Sequence, residues 1–223
     1  MGFSGFEDSD GKFFKRLAKN QNREWFAKHK AEYEEQWQSP MLELLQSVSA
    51  GIDASYEYCE LEAPKVFRIY RDVRFGKDKS PFKTSISGVL SIAGKNGVMD
   101  KPVALYLQLG SEALAAAGHW MMPPEQLVRF RDALVDDKKG HELDRILASL
   151  QKRGHTLSAA ESLKKVPKGF DPNHPRAELL KRKGMVAQFP KMPAIDSAAF
   201  AKWLIAECKA VEALVTWTTY ATS

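Results

Sequence analysis

Between Lys65 and Thr84 the chain reads KVFRIYRDVRFGKDKSPFKT, and most of the residues in it that could do chemistry are cations. Lys65, Arg68, Arg71, Arg74, Lys77, Lys79 and Lys83 stand against two acids, Asp72 and Asp78, a net of +5 that equals the formal charge of the whole 223-residue chain. Arginine presents a planar fork that matches carboxylate and phosphate, and lysine presents a mobile point charge. Capture of an anion is the chemistry such a stretch suits. Residues 65–75 also alternate: Phe67, Ile69, Val73 and Phe75 fall to one side, Arg68, Tyr70, Asp72 and Arg74 to the other. That pattern predicts a β-strand. It puts Arg71 on the apolar side, where a guanidinium needs an internal carboxylate or an anionic ligand to satisfy its donors.

A second basic block runs from Lys164 to Lys183, with Lys164, Lys165, Lys168, Arg176, Lys181, Arg182 and Lys183 against Asp171 and Glu178. The two blocks together exceed the charge of the chain, so the remainder is net acidic. If the blocks converge they form an electropositive cleft; otherwise they are solvated loops on different faces. In the cleft reading Arg71 and Arg74 grip the anion, Lys79 and Lys83 add mobile charge, and Lys168 closes the site from the second block; Arg68 is a further binding candidate whose direction, into the site or into solvent, the sequence leaves open. Asp72, His119 and His174 are the weak candidates for catalysis. An aspartate among cations stays ionised and suits a base better than an acid.

Named motifs mostly fail. Gly76-Lys-Asp-Lys-Ser lacks the preceding glycine of a phosphate-binding loop, and no dinucleotide, zinc-protease or nucleophile-elbow pattern occurs. The five histidines and two cysteines show no metal-ligand spacing. Cofactor and reaction are left open, and the sequence does not decide between an enzyme and a binding protein.

The elements that must position these residues follow from periodicity. Ser9 and Asp10 suit the cap of a short helix bearing Phe13, Phe14 and Leu17. Asn20 to Asn22 open a helix with an aromatic stripe of Phe26, His29, Tyr33 and Trp37, and Ser39-Pro40 opens another with Met41, Leu44, Leu45, Val48 and Ile52 inward. Beyond residues 65–75, strands are expected at 86–93, 103–109 and 184–189, with a hairpin turn at 94–97. Residues 113–120 read as strand or, because of their alanines, as helix. Helices are expected from Pro123-Pro124 to Asp136, from His141 to Gln151, from Pro175 to Lys183, and from Ile195 to Thr218; SLKKVPKGF at 162–170 reads as strand or loop. Helices, then strands, then helices with one late strand make an α+β pattern. We expect a single domain over 1–223: an antiparallel sheet of about four to six strands, packed by N-terminal helices and a long C-terminal helix.

Composition agrees with an ordinary globular chain, 44% hydrophobic and 27% charged, with 12 Phe, 6 Tyr and 5 Trp for a core. A pI near 9.1 is too mild to imply nucleic acid by itself. The N-terminus lacks the features of a secretory signal, and no apolar run approaches the ~20 residues needed to cross a bilayer. A cytoplasmic protein without membrane contact is expected, its Cys59 and Cys208 reduced.

Three segments carry a resemblance: Asn-Arg-Glu-Trp-Phe at 22–26, Arg-Asp-Val-Arg-Phe-Gly-Lys-Asp-Lys-Ser-Pro-Phe-Lys-Thr at 71–84, and Pro-Lys-Gly-Phe-Asp-x-x-His-Pro at 167–175. Together they resemble the uncharacterised family catalogued as domain of unknown function (DUF) 2461, over nearly the whole chain. Phe82 and Gly76 depart mildly from its pattern, which more often has tyrosine and serine there. The resemblance implies one domain and a shared set of residues in the basic and Pro-Lys-Gly segments. It implies no activity, cofactor or substrate. The expected function is binding of an anionic, phosphate-bearing small molecule in an Arg/Lys-lined pocket, with or without catalysis. The rivals are a nucleic-acid-binding protein and a protein-interaction module using the same basic surface.

Overall fold

The computed structural model describes residues 2–74, 77–93 and 101–223. The expected turn at 94–97 and the Phe75-Gly76 pair lie outside these residues. The fold is α+β, built on a six-stranded antiparallel sheet of order β1-β2-β3-β4-β6-β5. Its strands are β1 (Lys65–Val66), β2 (Ser85–Ser91), β3 (Val103–Gly110), β4 (Leu114–His119), β5 (Thr156–Ser158) and β6 (Met185–Gln188).

Helix α1 (Lys12–Lys19) buries Phe13, Phe14 and Leu17, as its spacing predicts. Its N-cap is Gly11, and the first-turn amides are held by Asp8 rather than by Ser9 or Asp10. The Asp8 carboxylate accepts from the amides of Lys12 and Phe13, both at 2.8 Å, and from Trp37 Nε1 at 3.1 Å. A buried carboxylate is tolerated there because three donors satisfy it. Helix α2 (Arg23–Tyr33) begins at Asn22, whose side chain accepts from the Trp25 amide at 2.8 Å. It runs through a π-helical turn, Glu34–Gln38, straight into α3 (Ser39–Ile52). Ser39 is therefore no cap, and Pro40 sits in the first turn of α3. Proline lacks the amide that an ordinary helix would need at that point, and the wider turn just before it absorbs the loss.

Helix α3 and the long α7 (Ala199–Thr222) pack on one face of the sheet, α3 over β1 and β2 and α7 over β3 and β4. Helices α4 (Pro124–Val135) and α5 (Asp137–Lys152) flank α7, and the short α6 (Ala177–Leu180) contacts α4. Leu45, Leu105, Leu107, Leu204 and Leu214 are wholly buried in the resulting core. Residues 114–119 are strand rather than helix, and the successive alanines face opposite sides of a central strand. At Gly118, φ is +120° and an added Cβ would lie 2.3 Å from the Met185 carbonyl oxygen, so β4 and β6 approach only through glycine. Strand β5 was not expected where it forms, just before the 162–170 segment. Cys59 and Cys208 are free and buried, and among the described residues no helix is long and apolar enough to cross a membrane.

The predicted strand 65–75 stops at Val66. After Phe67, whose amide donates to Ser87 O at 2.8 Å, the chain leaves the sheet and pairs with residues just before β2. The Arg71 amide donates to Pro81 O at 2.9 Å, the Lys83 amide to Ile69 O at 2.8 Å, and Tyr70 bridges Phe82. Aromatic docking explains the departure. Phe82, 1% exposed, stacks on Phe26 of α2 at 4.4 Å between centroids, and Tyr70 lies 5.3 Å from Phe82. A small flap is the result.

Candidate functional site

The face of the sheet opposite α3 and α7 carries a cavity of about 380 Å³, and every residue lining it comes from a strand or from a segment beside one. Strand period and register place them. Val89 stands opposite Tyr106, Tyr106 opposite Ala116, Gly118 opposite Val186, and Val186 opposite Ser158, so one set of positions crosses five strands on a single face. The floor is mostly apolar, with Val89, Val103, Leu114 and Val186 on it, while Phe67 and Trp120 stand at its edges. Few polar groups reach it. Tyr106 donates its hydroxyl to Gln108 Oε1 at 3.0 Å, and the Ser158 Oγ is buried with no hydrogen-bond partner. Two lysines line it, Lys83 and Lys101. Lys101 is buried and ion-paired with Glu62.

Lys83 is half-buried and has no carboxylate within ion-pair distance among the described residues. Burial holds its pKa below the usual lysine range, and the positive charges of Arg68 and Arg71 push the same way. Those two arginines therefore stand close enough to feel it. The flap explains the position of Arg71: Lys83 is paired with Ile69, and Arg71 is the diagonal neighbour two residues on.

Arg71 is not the buried arginine that alternation predicts. It is half-buried in the flap, its Nη2 3.2 Å from Asp78 Oδ2 and 3.4 Å from Phe82 O, while its Nε is buried without a hydrogen-bond partner. The buried guanidinium of this fold belongs to Arg176. It donates to both oxygens of Asp144 at 2.7–3.1 Å and to Leu134 O at 3.0 Å, clamping α5 to the end of α4. Asp78 is held by the amide and hydroxyl of Ser80 at 2.9 and 2.7 Å, which together with Arg71 lower its pKa.

The remaining expected site residues scatter. Arg74 grips Asp72 through two nitrogens at 2.8 and 3.0 Å on the exposed surface, and this holds the Asp72 carboxyl well below the usual carboxylate range. Lys79 donates to Val73 O at 2.7 Å, also exposed. Lys168 is exposed in the turn after Pro167 and does not line the cavity. His119 is wholly buried, in step along β4 with the core residues Ala115 and Ala117, so it does not reach a cleft. His174 accepts from the Arg176 amide through Nδ1 at 3.1 Å and holds a turn. In the second block Arg176 pairs with Asp144, Lys181 with Glu178 and Lys183 with Glu161. Among the described residues, Lys83 is the one basic residue of either block that lines the cavity, so the blocks do not meet there.

Residues that sequence reasoning missed are Phe67, Tyr106, Trp120, Ser158 and Lys101 of the cavity wall. Strand period marks some of them, but only the pairing of non-sequential strands brings them together. A second missed cluster is buried against α7, where His155 Nε2 lies 3.1 Å from Glu207 Oε2 and Arg153 lies 3.6 Å from the same carboxylate. Burial pushes the His155 pKa down, partly opposed by Glu207. Among the described residues no group of three or more His, Cys, Asp or Glu side chains could hold a metal ion.

No curated protein and no solved structure matches the chain. The family described as "Conserved hypothetical protein (DUF2461)" matches residues 11–217, which span α1, the flap, the whole sheet and most of α7. The chain belongs to that family.

Proposed function

We propose that the protein binds a small amphipathic anion, with an apolar body on the open sheet face and a phosphate or carboxylate against Arg68, Arg71 and Lys83. One observation carries this reading: a mostly apolar cavity has on its wall a half-buried lysine that feels two guanidinium charges and, unlike Lys101 on the same wall, has no carboxylate of its own among the described residues. Arg68 and Arg71 stand outside the cavity lining, but their charge reaches Lys83, and a doubly charged phosphate gains more from it than a single carboxylate does. Arg74 and Lys79, engaged with Asp72 and Val73 O, add only peripheral charge, and Lys168 stands apart. The apolar floor sharpens the ligand class, since inorganic phosphate leaves most of it empty.

Phenyl phosphate is the probe. It raises the melting temperature and binds more tightly than inorganic phosphate, and R68Q or R71Q each weakens it about tenfold or more, the scale of a hydrogen bond to a charged group. No stabilisation by either anion overturns the proposal. A second reading, single-stranded nucleic acid, is favoured by one feature: Tyr70 is 49% exposed beside Arg68 and Arg71, where a base could stack. Oligonucleotide binding with a steep salt dependence, and none of phenyl phosphate, makes that reading the correct one.

A further inference from the structure

Building on the anion site proposed above, we infer that Lys83 is a nucleophilic lysine that condenses with the carbonyl group of an anionic aldehyde or ketone to form an imine. A lysine attacks carbonyls only as the free amine. The surroundings that favour the free amine near neutral pH are an apolar wall and neighbouring cations. Lys83 has both. Its side chain is half-buried in the cavity wall beside Phe67 and Ser87. The flap hydrogen bonds, Lys83 N to Ile69 O and Arg71 N to Pro81 O, set Arg71 diagonally next to it on the same face.

The charged and titratable groups of the flap and the cavity wall give the Lys83 ammonium no carboxylate partner among the described residues. Arg68 and Arg71 repel its protonated form. Of the two acids of the flap, Asp78 is engaged by Arg71 and Ser80 and Asp72 by Arg74. Across the cavity, Glu62 is engaged by Lys101, and the Tyr106 hydroxyl donates to Gln108. Some other lysines differ: Lys30, Lys101, Lys181 and Lys183 each hold a carboxylate that favours the charged form.

The step balances without any oxidant or reductant. The Lys83 Nζ lone pair attacks the carbonyl carbon, and a C–N bond forms as the carbonyl π bond breaks to give a carbinolamine. The former amine hydrogens end on the oxygen, which departs as water, and the C=N bond remains. The substrate class is set by the same geometry. It is a carbonyl compound whose phosphate or carboxylate reaches Arg68 and Arg71, and whose apolar remainder lies toward Val89, Leu114 and Val186.

Pyridoxal 5′-phosphate, an aromatic aldehyde bearing a phosphate, tests this on the full chain. The protein is treated with a substoichiometric amount at pH 7, reduced with borohydride and mapped by peptide mass spectrometry. Lys83 is expected to be labelled several-fold faster than any surface lysine, with labelling suppressed by phenyl phosphate and weakened in R68Q and R71Q. K83R, which keeps the charge without the nucleophile, loses the label at that position, and the wild-type map needs no variant to fold. Labelling spread over surface lysines, with Lys83 no faster than they are, overturns the inference. In that case stabilisation by phenyl phosphate shows whether the anion site survives it, because binding needs no imine; absence of both removes the two together.

Discussion

Phe82 is the hinge between core and site, and truncating it should register in both. Its ring is 1% exposed, stacked on Phe26 at 4.4 Å and near Tyr70 at 5.3 Å. Burying a phenylalanine side chain and then removing it costs about 3–5 kcal/mol, of which the ring pairing accounts for about 0.5–1.5 kcal/mol. Against a total stability of about 5–15 kcal/mol, F82A leaves a folded but weakened protein. In urea, with a slope of about 2–3 kcal/mol/M for a chain of this size, the midpoint falls by about 1–2 M. The double variant F26A/F82A isolates the ring pairing, which is expected to couple the two sites by about 1 kcal/mol. Hydrogen exchange supplies the link to the site. The amides of Arg71 and Lys83 donate only within the flap, to Pro81 O and Ile69 O. They therefore lose protection in F82A more than the amides of β2 and β3 do. An unchanged midpoint together with unchanged protection at those two amides would mean that aromatic docking does not hold the flap, and the account of why the strand stops at Val66 would be wrong.

Two further outcomes follow from buried polar groups. D8A removes the acceptor for the Lys12 and Phe13 amides and for Trp37 Nε1, and is expected to cost about 2–4 kcal/mol in chemical denaturation; W37F, which drops one of those bonds, costs less, and equal effects would show that the carboxylate is not the shared acceptor. His155 is buried with its pKa below the ordinary 6.5, so the folded state binds the imidazole proton more weakly than the unfolded state does. Its contribution to stability is complete above pH 6.5 and is lost as pH falls through the lower folded value; the melting temperature of the wild type drops between pH 7 and pH 5 more steeply than that of H155Q, and parallel curves refute the assignment.

The architecture was legible because helical and strand periods are long and clean in most elements. The aromatic stripe of α2, the amphipathic face of α3 and the expected strands at 86–93 and 103–109 each matched the element that forms. Where reading failed, a tertiary contact outweighed a local pattern. Alternation continues to residue 75, but the docking of Phe82 on Phe26 takes the chain out of the sheet after Phe67. Strand β5 is only three residues long, too short to show a period, and its pairing with β6 decides its existence. Strand parity pointed to Arg71 as the buried arginine, whereas Arg176 is buried by a partner, Asp144, on another helix, a relation that no periodicity encodes. Of the site, the cations were visible and the apolar floor was not, since its residues become neighbours only through the order β2-β3-β4-β6-β5.

The same strand order ends the sheet on its two shortest members, β1 with two residues and β5 with three. A second chain seeking to extend the sheet would find almost no free ladder to pair with, and at the β1 border it would meet the exposed Lys65. Brevity at both borders thus guards the sheet against joining strand to strand with its own copies, while the face between those borders stays open to a ligand.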